Sequence, residues 1–539
     1  MGQLVFQHQG KDHTLSFQAG ESLLAVARRE GLLLPSPCNG NGTCGKCNVQ
    51  VRRPGEAVQE VLACHTEAAD GLYVVIPEGK DGSQVQILQE GHALSVDVKS
   101  RLRKEYIAAE DFTQVWAGEA LLGIEAGDTS SEQYGVVVDI GTTTLVTALF
   151  DLQSGRELAA TSALNPQSHH AQDVLSRIRL ASEEEGLDLL HGQFIDVLNE
   201  MTQQVAAKAG VLRQSIYEFI FSGNTCMLHL AVKETPASLG KFPYTPVVEG
   251  DCYYQAAALG LEASSFAQVY LPPVLSAYVG ADITSGVLAA SLAERQGITL
   301  FVDIGTNGEM VLAADGKLIA TSTAAGPAFE GMNISCGMRA APGAVEKFTV
   351  TEEGPVALTI GQQPPVGICG SGLLDIVGQL VRHKAIGGNG KLSGGKAAAA
   401  LQDSLIEVDG KLAFQVANGV HLSQKDVRQV QLAKGAVRAG IEALLNGCGV
   451  AAGDVDKVLI AGSFGYHLNP ESLLDIGLLP PETAGKIEFV GNTSKTGGQA
   501  FLLNEDLRSN MAQVVESAQV LELATTKDFD RLFVQCLSF

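Results

Sequence analysis

The sequence predicts a small α+β module followed by a larger, internally duplicated α/β body. Three observations carry this reading. Short apolar stretches with strand-like alternation flank a Gly- and Cys-rich loop within residues 1–85. The text Asp-Ile-Gly-Thr occurs at Asp139 and again at Asp303, each time closing one apolar strand and opening another. With 539 residues, 45% of them hydrophobic, the chain is long enough for several sizeable cores.

Residues 3–8 and 13–17 read as a hairpin and Ser22 to Gly31 as a short helix. The Gly/Cys loop 38–47 follows, then a strand near 48–53 and a last strand from Leu72 to Ile76. Strands packed on one helix around a metal loop suit a β-grasp module over residues 1–85. Residues 86–132 change character: Lys99 to Lys104 reads as a helix-like basic patch, and the text then turns acidic and Gly/Ser-rich. This segment is expected to be a linker with one small structured element, where Trp116 anchors local packing.

From Tyr134 the text becomes α/β. GVVVDIGTTTLVTALFDLQSG gives strand, tight loop, strand and turn. ITLFVDIGTNGEMVLAADGKLIATS repeats the plan, with Asp315-Gly316 as a two-residue hairpin turn. The repeat is too widely spaced for a solenoid. It implies two similar lobes, residues 133–297 and 298–539, facing each other across a cleft. In the second lobe Ser423 and Asp426 form a capping box, apolar positions recur from Val427 through Leu445, and Gly447 stands past the helix end. The strand Val458 to Ile460 then runs into AGSFG.

A formal charge of −23 argues against a nucleic-acid or anionic-membrane surface. No apolar run reaches the roughly 18 residues of a membrane span. MGQLVFQHQG lacks the charged head and apolar core of a signal peptide. Ten cysteines at ordinary density form no disulfide scaffold, so a reducing, cytoplasmic setting is expected.

Cys38, Cys44, Cys47 and Cys64 are separated by five, two and sixteen residues. Three closely spaced thiolates wrap one side of an iron–sulfur cluster, and a fourth from a distant strand closes the site, close to the spacing of plant-type ferredoxins. Gly40, Gly42 and Gly45 let backbone amides approach the sulfurs. A [2Fe–2S] cluster is the reading this favours. Structural zinc also takes four cysteines but usually pairs two C-x-x-C knuckles, and one such pair exists here. The other cysteines, 226, 252, 336, 369, 448 and 536, are expected to be buried thiols.

In each Asp-Ile-Gly-Thr, glycine permits the tight turn while amides and hydroxyls cradle phosphate oxygens. Asp139, Gly141, Thr142, Thr143 and Thr144 make the first candidate loop, and Asp303, Gly305, Thr306 and Asn307 the second. Asp139 and Asp303 are placed to hold Mg²⁺ through water or to orient an attacking water, with Glu309 a second candidate for that catalytic role. Gly462, Ser463 and Gly465 form the third loop. This order resembles the two phosphate motifs and the adenosine motif of the actin-like (ASKHA) superfamily, whose lobes are duplicated RNase H-like folds. The fold class is therefore a β-grasp ferredoxin domain followed by actin-like domains that bind ATP. GICGSG at 367–372 is either a further phosphate loop or the cap of a helix beginning near Leu373.

The combination resembles the ATP-dependent reductive activators of corrinoid proteins. The resemblance spans the whole chain, through CNGNGTCGKC with Cys64, DIGTTT, NPQ at 165–167, SGNTCMLHL at 222–230, YVGAD at 278–282, DIGTNGE at 303–309, GICGSGLLD at 367–375, QLAKGA at 431–436 and AGSFG at 461–465. Only Cys536 lies near the end, which departs from members with C-terminal cubane clusters. The resemblance implies that an electron from a low-potential donor passes through the cluster to the Co(II) of a corrinoid protein in a methyltransferase system, restoring Co(I) with ATP consumed. It also implies a homodimer. His169 and His170 could touch the partner or be plain exposed loop residues. Rival readings are a small-molecule kinase with a fused ferredoxin, an ATP-driven electron activator of another metalloenzyme, and a redox-gated actin-like scaffold.

Overall fold

Along Gly2–His8 the side chains alternate, so Leu4 and Phe6 share one buried face. Val49, Val51 and Val74 extend that face on neighbouring strands, and Leu23, Leu24, Val26 and Ala27 of the helix Leu23–Arg29 close over it. The computed structural model describes all residues except 1, 9–10, 30–31, 33, 35–46, 54–57, 77–95 and 463–467. Residues 1–85 with 166–177 make one compact unit, and residues 86–165 with 178–539 make the other.

In the first unit the strand order is Lys11–Phe17, Gly2–His8, Tyr73–Val75, Asn48–Arg52 and Gln59–Leu62. Gly2–His8 runs parallel to Tyr73–Val75 and every other pairing is antiparallel, the β-grasp arrangement. Gln59–Leu62 has no sequence signature because neither of its faces is fully buried. Residues 166–177 are tied by Arg177, which is fully buried and donates to Gln167 Oε1 and Ala171 O, each at 3.0 Å. His169 and His170 are half-buried, which corrects the expectation of exposed loop histidines.

The second unit begins with a three-stranded antiparallel sheet, Leu102–Ile107, Phe112–Ala117 and Ala120–Ala126. The basic patch Lys99 to Lys104 therefore runs into a strand, not a helix. Its charges alternate between faces: Arg103 is exposed and sits over the Trp116 ring, while Lys104 points inward. The buried Lys104 ammonium meets Glu125 at 2.8 Å and the Tyr217 hydroxyl at 2.8 Å, so its charge is paired where it is desolvated.

Two six-stranded sheets form the body. The first runs Glu157–Leu164, Thr144–Asp151, Tyr134–Ile140, Ile216–Gly223, Gln268–Leu271 and Cys252–Gln255. The second runs Gln519–Val520, Lys317–Thr323, Gly308–Ala314, Ile298–Ile304, Lys457–Ala461 and Ile487–Gly491. In both, three antiparallel strands precede two that add in parallel, which is the duplication expected from the repeated motif. Asp315 and Gly316 both have positive φ in the two-residue turn between Ala314 and Lys317. Parallel crossovers supply the helices that cover the sheets.

The capping box at Ser423 and Asp426 is present, and its helix runs Gln424–Cys448. The helix ends at Gly449 in the left-handed conformation, two residues beyond the expected Gly447. GICGSG is a short strand, Gly367–Ile368, leading into the helix Gly370–Arg382, and all six of its residues are buried. The helix-cap alternative therefore holds, with the helix starting earlier than Leu373. Cys226 and Cys369 are buried as expected, whereas Cys252, Cys336, Cys448 and Cys536 are only half-buried. Among the described residues no helix is long and apolar enough to cross a membrane.

Candidate functional site

Antiparallel pairing carries Ile140 opposite Leu145 and Ile304 opposite Gly308. The intervening residues are left as two tight loops at equivalent ends of the two sheets. Asn165 fixes the first loop, its amide N–H donating to Thr143 O at 2.9 Å and its Nδ2 to Gly141 O at 2.8 Å. Gly305 N–H donates to Asn307 O at 3.0 Å and Gly326 N–H to Thr306 O at 2.9 Å, fixing the second. The loops meet: Thr143 Oγ1 and Thr306 Oγ1 are 3.4 Å apart. Both hydroxyls donate to the carboxylate of Glu330.

Four carboxylates lie behind the loops. Asp303 and Glu309 are register partners on adjacent antiparallel strands, so their side chains leave the same face. Asp139 accepts from Asn492 Nδ2 and Ser494 Oγ, each at 2.8 Å. Those donors come from the start of the helix Thr493–Leu503, where Asn492 also caps by accepting from Lys495 N–H at 2.9 Å. Lys495 is buried and paired with Glu157 at 3.0 Å. Asp282 opens the helix Ala281–Ala289, which packs directly on Thr493–Leu503.

Crowding and burial shift these acids together. Burial, joined by the charges of Asp282 and Asp139, pushes the Asp303 carboxyl up to about 8. Burial with the nearby Asp139 charge pushes Asp282 up to about 7. Glu309 is raised well above the usual range, by burial first and by Asp282 and Asp303 next, while Asn307 opposes the rise by donating to it. Burial also raises Asp139, against its two donors and the Lys495 charge. Crowded, buried acids of this kind hold their protons unless a cation neutralises them. Among the described residues no three of these groups converge as direct metal ligands. Mg²⁺ characteristically keeps several waters, so outer-shell contact is the arrangement these side chains fit.

A pH dependence follows. An acid raised on folding stays protonated in the folded chain after the unfolded chain has released its proton. Stability therefore falls as pH rises from the unfolded value near ~4 toward the folded values near 7 and 8. The melting temperature of nucleotide-free protein should decline across that window, and Mg²⁺ with nucleotide should remove the decline. Calorimetry of Asp282→Asn beside wild type checks this, and an equally steep decline in the variant would refute it.

Of the third candidate loop, Gly462 is described; it follows the strand Lys457–Ala461 alongside Asp303. Ser463 and Gly465 lie outside the described residues, as do Cys38 and Cys44. The other two cysteines lie at one end of the β-grasp sheet. Asn48 pairs with Leu62 and Ala63 N–H donates to Cys47 O at 2.8 Å, which brings Cys64 beside Cys47. Cys47 is buried in the domain core and Cys64 half-buried against it. The two thiols flank paired strands, Cys47 just before Asn48–Arg52 and Cys64 just after Gln59–Leu62, as two of the ligands of a four-thiolate site would.

Of the residues named from the sequence, the structure brings Asp139, Asp303, Glu309 and the two hairpin loops together. Asn165, Asp282, Glu330, Asn492 and Ser494 join that cluster without having been singled out from the sequence. Asn165 opens NPQ and Asp282 closes YVGAD, and Gly-Asn-Thr-Ser ahead of a helix at 491–494 is an N-cap signal.

A cysteine-bearing β-grasp domain and a duplicated body with facing phosphate-type loops define an iron–sulfur electron carrier joined to an actin-like nucleotide-binding body. Comparison with known proteins narrows this class. Residues 6–69 match the 2Fe-2S iron-sulfur cluster binding domain, residues 134–295 the RACo middle region, and residues 297–539 the C-terminal ASKHA domain of RACo. The chain is 30% identical to the corrinoid activation enzyme RamQ of Eubacterium limosum, over 96% of each protein. It is 25% identical to the Co(II) methylated amine-specific corrinoid protein reductase of Methanosarcina barkeri, over 75% of this chain and 77% of that one. A solved reductive activator for corrinoid, iron-sulfur protein superposes with a TM-score of 0.75 at 29% identity, covering 100% of this chain and 98% of its own. The chain belongs to this family, the reductive activators of corrinoid proteins.

Proposed function

We propose that this protein drives a single electron from a low-potential donor onto the Co(II) of a corrinoid protein, using ATP, and so restores the Co(I) that accepts methyl groups. One observation carries the reading: the facing threonines Thr143 and Thr306, with carboxylates behind them, occur in the same chain as the cysteine-bearing domain. Cys38, Cys44, Cys47 and Cys64 would hold a [2Fe–2S] cluster, which supplies a one-electron carrier at low potential. Thr142, Thr143, Thr144, Thr306 and Asn307 would donate to phosphate oxygens, with Gly141, Gly305, Gly462, Ser463 and Gly465 giving the backbone room. Asp139 and Asp282 would face the waters of Mg²⁺. Asp303, with Glu309 opposite it, would orient those waters and the attacking one.

The need for ATP is physical. Each ~59 mV of uphill one-electron transfer costs about 1.4 kcal/mol. A gap of roughly 200 mV beyond a cluster near about −400 mV thus needs about 5 kcal/mol. Differential binding of ATP to open and closed arrangements of the two sheets can supply that amount. The donor and a second copy of the chain in a homodimer belong to this proposal through the family resemblance, and a cytoplasmic setting through the cysteine usage of the sequence.

The test mixes reconstituted protein, a chemical reductant and a Co(II) corrinoid protein, and follows Co(I) absorbance. Co(I) should form only with ATP, and Cys47→Ser or Cys64→Ser should abolish it. Co(I) formation independent of ATP, or none with several corrinoid proteins despite an intact cluster, would overturn the proposal.

A further inference from the structure

Glu330 ends the short 3-10 turn Pro327–Glu330, which follows the strand Lys317–Thr323 of the second sheet after residues 324–326. Its neighbours Ala328 and Phe329 are buried in the main core, so the turn is anchored. The hydrogen bond from Gly326 N–H to Thr306 O, 2.9 Å, ties the same segment to the second loop. The carboxylate divides itself evenly: Oε2 accepts from Thr143 Oγ1 and Oε1 from Thr306 Oγ1. One hydroxyl thus comes from each Asp-Ile-Gly-Thr loop, and the two are 3.4 Å apart.

This is how two loops would share the oxygens of a tetrahedral oxyanion. A carboxylate and a phosphoryl group cannot both take the same two hydroxyls, and as like charges they repel. We propose that Glu330 is a built-in competitor for the terminal phosphate of ATP, a latch that clasps the two loops until the γ-phosphate displaces it. Arg339 is the cation in whose field Glu330 already lies, and it offers the released carboxylate an opposite charge. Displacement makes the loops' grip depend on a phosphate that ADP lacks. Glu330 is in this sense a positioning residue that distinguishes ATP from ADP. The inference rests on the nucleotide-binding reading given under Proposed function.

The test measures affinity for ADP and for a non-hydrolysed ATP analogue, each with Mg²⁺, by calorimetry on the full chain. In Glu330→Ala the analogue should bind about 10- to 100-fold more tightly than in wild type, because the charge-assisted bonds no longer have to be broken. ADP affinity should change by less than about threefold, since no γ-phosphate competes for the hydroxyls. Glu330→Gln, which removes the charge and keeps the shape, should show the same selectivity with a smaller gain. It carries the expectation should the alanine variant fail to fold. Equal gains for ADP and analogue, or weaker analogue binding in the variants, would overturn the latch while leaving nucleotide binding intact. Wild type that binds neither nucleotide would remove the nucleotide-binding reading, and the latch with it.

Discussion

Asp303→Asn should abolish ATP-dependent Co(II) reduction, lowering the rate by about 10²- to 10³-fold. Asparagine keeps the side chain's size, so strand pairing with Glu309 and with Ala461 should survive. What disappears is the charge that would face Mg²⁺ and its waters. Asp303 sits where burial and two neighbouring acids hold its proton on. A bound cation would relieve that crowding, so removing this carboxylate should weaken the cation's hold. The visible spectrum of the iron–sulfur domain should be unchanged, since that domain has its own core and strand pairing. A variant retaining activity within about threefold of wild type would remove Asp303 from the mechanism.

Gly462→Ala should be at least as damaging, by a different route. Gly462 has φ of 109°, a conformation that side chains rarely allow. A Cβ there would lie 2.6 Å from Ile304 O and 2.9 Å from Asp303 Oδ1. Neither the strand carbonyl nor the site carboxylate can yield without moving the second loop. A stability loss of about 2–4 kcal/mol is expected, with nucleotide affinity reduced ~100-fold or more. Gly453→Ala serves as the comparison, because a Cβ at that position meets nothing within 4 Å. Chemical denaturation and nucleotide titration of both variants check this, and equal behaviour of the two would refute it.

The parts legible in the sequence are those written within a single hairpin or a single helix start. Two Asp-Ile-Gly-Thr loops, a two-residue Asp-Gly turn and a capping box are local patterns with local physical causes, and each is present. The basic patch at 99–104 misled because charge clustering in one dimension became alternation in three, with Lys104 turned inward to Glu125. The remaining site residues were hidden by distance. Asn492 and Ser494 reach Asp139 across 353 and 355 positions, and no pattern at either end announces the other. Glu330 was silent for a related reason: a glutamate after a short turn is ordinary until two threonines from different lobes are found holding it.

The helix Thr493–Leu503 also sets a timetable for synthesis. It is encoded near the end, yet it packs on Tyr134–Ile140 and Ile216–Gly223 of the first sheet, and Arg508 just beyond it pairs with Glu218 across 290 positions. A ribosome adding ~5–20 residues each second needs roughly 15–60 s to deliver those partners. Until then the nascent first half carries an apolar face and the Glu218 charge without their native cover. A fragment ending before residue 493 should therefore aggregate when expressed alone.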